Sequence, residues 1–135
     1  MSGAESTAGN RRQTVALAEI ELAEREGVRI VTVAGELDIS NAGTLEDATF
    51  DLPNEALGIV LDMSSVSYVD SATLGLLFKL SYSLKRRGQV LRVVCPPGSS
   101  AQRVLELTGF ERETPPDKDR DAAIAAIRRD VQLRD

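Results

Sequence analysis

The 135-residue chain contains no histidine, no tryptophan and a single cysteine, Cys95. Each absence removes a class of chemistry. Without histidine the chain lacks the commonest general base and the commonest metal ligand. One cysteine excludes an internal disulfide and thiolate metal clusters. Cys95 follows Val93-Val94 at a predicted strand end and reads as a buried, inert thiol. No apolar run approaches the ~20 residues needed to span a bilayer, and nothing resembles a signal peptide. Aromatics are few, with three Phe and two Tyr, and 16 Lys and Arg face 21 Asp and Glu, a net charge of −5. An acidic chain without a basic stripe is a poor nucleic-acid binder. These features describe one soluble domain with one core, expected in the cytoplasm and as a monomer when free.

What is present is an alternation of strand and helix patterns. Residues 1–13 are mostly small and polar and read as a flexible tail. From Thr14 to Glu24, Ile20 and Leu22 alternate with Glu19 and Glu21, the pattern of an edge strand with one solvated face. Glu26-Gly27 reads as a hairpin turn. The β-branched run Val28 to Ala34 reads as a second strand, ended by Gly35. A first helix is expected over about Asn41 to Asp51, closed by Pro53. Ile59 to Asp62 forms a buried central strand. A longer helix runs from about Ser71 to Arg87, with Leu74, Leu77, Phe78 and Leu84 on one face. Lys85, Arg86 and Arg87 complement its dipole at the C-terminus, and Gly88 stops it. Gln89 to Cys95 is a further strand, and Ser99 with Gln102 forms a capping-box pattern opening a third helix that Gly109 terminates. Asp117 is the expected N-cap of a last helix with Ile124, Ile127 and Val131 inside. The fold class is α/β, with a single mixed, mostly parallel sheet of four to five strands and about four helices packed on it over residues 14–135.

One stretch could carry chemistry. In Tyr68-Val69-Asp70-Ser71-Ala72-Thr73-Leu74 a hydroxyl follows a carboxylate at a helix start. Amides there lack partners inside the helix and carry partial positive charge, so a phosphate on Ser71 would be well tolerated. The simpler reading makes Ser71 an N-cap hydroxyl worth about 1 kcal/mol, and the two roles are compatible. Asp70 suits the helix dipole, and Asp38, after the second strand, suits a loop or a cap.

Three motifs carry a resemblance. Gly35-Glu36-Leu37-Asp38 follows the second strand, Leu61 to Ser71 combines strand, loop and an Asp-Ser pair, and Leu107-Thr108-Gly109-Phe110 ends a helix. Together, over about Val28 to Ala126, the chain resembles the STAS-domain anti-sigma factor antagonists, the bacterial partner-switching regulators. The resemblance implies the STAS fold and a non-enzymatic switch without a cofactor. In its unphosphorylated form such a protein binds an anti-sigma factor, also a serine kinase of the GHKL type, and frees the sigma factor. Phosphorylation at the position of Ser71 reverses this, and a separate phosphatase resets it. It also implies a partner surface of Asp38, Asp70, Ser71, Ala72 and Thr73. The family commonly has Ser or Thr and then Gly after the Asp-Ser pair, where this chain has Ala72 and Thr73, so Thr73 is a minor alternative acceptor.

Other classes remain in view. A STAS subunit of an ABC-type lipid transport complex would use the same fold without phosphorylation, and the Ala72-Thr73 departure keeps that alternative open. A stressosome scaffold usually needs an additional N-terminal sensing domain. An enzyme is the least expected class, since a serine beside carboxylates without a base is not an activated nucleophile.

Overall fold

The computed structural model describes residues 11–134. Strands β1 (Arg11–Val15), β2 (Ala18–Arg25) and β3 (Val28–Leu37) are followed by α1 (Ala42–Phe50), β4 (Gly58–Val69), α2 (Ser71–Arg86) and β5 (Val90–Val94). Three helices then close the chain, α3 (Ser100–Thr108), the single turn α4 (Phe110–Glu113) and α5 (Arg120–Arg134). The five strands form one mixed sheet in the order β1-β2-β3-β4-β5. β1 to β3 are antiparallel neighbours, and β3-β4 and β4-β5 are parallel. This is the α/β architecture that the pattern of elements predicts, with α4 as the additional helix.

The centre of the sheet is buried on both faces, which explains why β3, β5 and the first half of β4 are mostly apolar, whereas β1 is largely exposed. One face carries Val31, Val33, Ile59, Leu61 and Met63 against Leu45 of α1, Leu77, Leu80 and Leu84 of α2, Leu105 of α3 and Phe110. The other carries Val28, Ile30, Val60, Val90 and Val94 against Ala123, Ile124 and Ile127 of α5. Phe78 stands edge-on to Phe110 with ring centroids 4.9 Å apart, so it closes the core rim while remaining partly exposed. Cys95 is buried, and burial pushes its thiol up to about 12.

Several local expectations need correction. The stretch from Thr14 to Glu24 is two strands, joined at Ala16-Leu17, with Ala16 at φ 53. No glycine, asparagine or proline marks that turn. Arg11, Arg12 and Gln13, expected in the tail, pair with Leu22, Glu21 and Ile20; the rest of the expected tail, residues 1–10, lies outside the described residues. Gly35 does not end β3 but sits at an irregularity within it, and the segment after Asp62, expected as a loop, continues β4 to Val69. Asp117 does not cap the last helix. Its carboxylate takes a two-pronged pair from Arg92 at 2.7 and 2.9 Å, and Asp119 caps instead, accepting from the Ala122 amide at 2.8 Å. Both aspartates suit a helix start, and the paired Arg92 decides between them.

A buried carboxylate holds α5 on the sheet. Asp62 on β4 accepts from the Ser64 amide and hydroxyl through one oxygen, and from Arg120 Nε at 2.6 Å through the other. Arg120 also donates to the Thr32 hydroxyl at 2.8 Å. Burial raises the Asp62 pKa, but the Ser64 and Arg120 hydrogen bonds outweigh it and hold the carboxyl below the ordinary range. A depressed native pKa stabilises the fold above the unfolded value of about 3.9 and loses that stabilisation as pH falls through the native value. Asp62→Asn is therefore expected to cost about 1–3 kcal/mol near neutrality. It should also flatten the acid side of the stability profile below about pH 4. Thermal melts from pH 6 to pH 3 check both, and an unchanged acid limb would remove Asp62 as its cause.

Candidate functional site

Parallel pairing brings two strand ends together. Leu37 and Val69 are register partners, and the Asp70 amide donates to the Leu37 carbonyl at 3.0 Å. The turn leading to α1 and the start of α2 thus leave the sheet side by side. Asp38 opens the first of these. Its carbonyl accepts from the amides of Asn41 and Ala42 at 3.1 and 2.9 Å, and its carboxylate accepts from the Ser40 amide at 2.9 Å and from the Ser40 hydroxyl. Asn41 locks this turn from beneath. It is 1% exposed, accepts from the Asp38 amide at 3.1 Å and donates to the Glu36 carbonyl at 2.9 Å. Sequence reasoning missed Asn41 as a site residue. Its place three residues after Asp38, ahead of a helix, is the signal that could have identified it.

Asp70 joins the two connections. One carboxylate oxygen accepts from the Thr73 amide at 2.9 Å, so Asp70, not Ser71, is the N-cap of α2. The other accepts from the Ile39 amide at 3.0 Å. Some desolvation raises its pKa, but the Thr73 and Ile39 amides prevail and hold Asp70 below the usual carboxylate range. With both oxygens engaged by backbone, Asp70 is a fixed negative charge and is not placed as a base for its neighbour.

Ser71 occupies the first position of α2 and is exposed, as is Ala72. The simple capping role belongs to Asp70, which leaves the Ser71 hydroxyl without a structural duty at the cap. Thr73 departs from expectation. It is 0% exposed and its hydroxyl has no hydrogen-bond partner of normal geometry, so it is closed to modification. The reason is helical period: Thr73 lies on the stripe of Leu77, Leu80 and Leu84. Asp38, Asp70, Ser71 and Ala72 therefore share one corner, while Thr73 supports it from within. Ile39, 78% exposed, is the corner's large apolar side chain. No group of three or more potential metal ligands occurs among the described residues.

This corner could present a neutral hydroxyl beside fixed carboxylates to another protein. It could equally turn into an anionic cluster after one phosphorylation. A family profile described as STAS domain matches residues 19–123. The chain is 27% identical over 95 residues to the anti-sigma-F factor antagonist RsfB of Mycobacterium tuberculosis, covering 69% of this chain and 75% of RsfB. The crystal structure of an anti-sigma factor antagonist from Mycobacterium paratuberculosis superposes with a TM-score of 0.68 at 25% identity, covering 93% of this chain and 99% of that one. The protein TM1081 of Thermotoga maritima gives a TM-score of 0.71 at 25% identity, with 94% and 98% covered.

Proposed function

The chain belongs to the STAS domain family, and on that premise we propose that it is an anti-sigma factor antagonist switched at Ser71. The unphosphorylated corner binds an anti-sigma factor that is also a serine kinase of the GHKL type, and the sigma factor is released. Transfer of phosphate to Ser71 ends the complex, and a phosphatase restores the binding form. The resemblance to RsfB and to the Mycobacterium paratuberculosis antagonist supports the general role. The observation that carries the switch is the exposed Ser71 hydroxyl, one residue beyond a carboxylate whose two oxygens are already committed.

The energetics favour a large response. A phosphate adds about −1.5 to −2 charges and three acceptor oxygens beside Asp70 and close to the Asp38 turn. The helix N-terminus stabilises that charge within the folded protein. A partner fitted to the neutral corner meets both bulk and repulsion. Of the two departures from the family pattern, Thr73 faces the core and is not part of the surface that a kinase meets, while Ala72 is exposed and places a methyl group beside Ser71 on that surface.

The test is reconstitution with an anti-sigma factor kinase from the same genome. A complex should form without ATP, and added ATP should place one phosphate on the intact protein by mass spectrometry while the complex dissociates. Failure to bind any such kinase would reject the antagonist role. Stable binding with no phosphate transfer would reject the switch alone.

A further inference from the structure

We infer that the partner surface extends beyond the Ser71 corner to the tip of the β1-β2 hairpin, where a shallow cleft receives an apolar side chain flanked by basic residues of the anti-sigma partner. This rests on the antagonist reading above and names a second anchor for the same partner. The cleft encloses about 350 Å³ and is floored by Ala18, Ala34 and Gly35, with Thr14, Leu17 and Glu19 around it. Its floor is made of the smallest side chains, so the depth comes from sequence as well as from backbone. Leu17 stands at its rim with 58% of its surface exposed. A turn tip has no folding need for a leucine, and a polar residue would be solvated there without loss.

The tip is held rigidly to the rest of the corner. The Leu17 carbonyl accepts from the Glu36 amide at 3.0 Å and lies where a Cβ on Gly35 would fall, 2.3 Å away. Glu36 is the register partner of Tyr68, itself 51% exposed, and the Ser67 hydroxyl donates to the Gly35 carbonyl at 3.3 Å. From the cleft the surface therefore passes through Glu36 and Tyr68 to Ile39, Asp70 and Ser71. Preorganised apolar anchors of this kind carry most of the energy of an interface.

Charge selects the occupant. Residues 16–19, 34–41 and 64–73 contain Glu19, Glu36, Asp38 and Asp70 and no Lys or Arg. Exposed apolar groups ringed by carboxylates of one sign complement a surface that offers an apolar knob with Lys or Arg beside it. A second copy of this chain, with the same acidic ring, would be repelled.

Leu17→Asp and Glu19→Lys should each weaken binding of the anti-sigma factor kinase by tenfold or more in calorimetry, with the melting temperature of the free protein unchanged. Binding by Glu19→Lys should also fall less steeply with added salt than binding by Leu17→Asp, since Glu19→Lys removes an attraction that salt screens whereas Leu17→Asp leaves the acidic ring intact. Wild-type binding with both variants within twofold of it would overturn the hairpin anchor and leave the antagonist role standing. Absence of wild-type binding would overturn both. Loss of affinity in Leu17→Asp accompanied by a lowered melting temperature, with Glu19→Lys unaffected, would mark Leu17 as a folding residue and overturn the anchor.

Discussion

Ser71→Glu is expected to lower affinity for the anti-sigma factor kinase by about 100-fold, whereas Ser71→Ala keeps binding and takes up no phosphate. The expected size follows from like-charge contact at an interface, which costs several kcal/mol. The new carboxylate would stand in the first turn of α2 beside Asp70, whose charge is fixed by the Thr73 and Ile39 amides and cannot turn away. The substitution should not harm the fold, because an acidic side chain at a helix N-terminus is favourable by about 0.3–1 kcal/mol. Reduced binding therefore reports the surface and not unfolding. Thr73→Val completes the set. Its hydroxyl is buried and unpartnered, so this variant should still receive one phosphate. Calorimetric titration and intact-mass measurement on the three variants decide the matter. Equal affinity for Ser71→Glu and wild type would remove Ser71 from the interface.

Gly35→Ala is expected to destabilise the protein by about 3 kcal/mol, since two independent obstacles coincide there. The backbone has φ +98, which L side chains rarely adopt, and an added Cβ would lie 2.3 Å from the Leu17 carbonyl oxygen and 3.2 Å from the Ala18 Cα. Both atoms belong to backbone in a paired hairpin, so relief requires that the β2-β3 ladder shift. Gly43 is the control. Nothing lies within 4 Å of its Cβ position, so Gly43→Ala in α1 should be neutral or stabilising. Chemical denaturation of both variants checks the contrast, and similar midpoints would show that the hairpin yields easily.

The larger pattern of the fold is legible in the chain because hydrophobic periodicity and punctuation agree there. Glu26-Gly27 is a turn in which both residues have positive φ, and Gly109 ends α3 in the left-handed region, as the glycines suggest. The Ala16-Leu17 turn was not legible. Alanine pays no visible tribute to turn chemistry, and only the pairing of Ala18 with Gly35 and of Val15 with Ala18 fixes it. At the site, the Asp-Ser pair is legible as a helix start, but which of the two caps is not, because aspartate and serine are about equally good N-caps. The second oxygen of Asp70 settles it by reaching Ile39, a residue 31 positions earlier. Burial of Thr73 could have been read by running the stripe of Leu77, Leu80 and Leu84 back one turn.

A single residue, Asp70, separates the last residue of β4 from the first of α2. The chain on either side of Ser71 therefore has no slack with which to reach into a deep cleft. For the proposed acceptor, a catalytic site that needs extended substrate must first unwind the opening turn of α2 and break the bond between the Thr73 amide and Asp70. The speed of modification is then tied to how often that turn opens. Hydrogen exchange at the Thr73 amide measures this opening directly, and any partner that holds the turn closed would slow the writing of the mark without touching the hydroxyl.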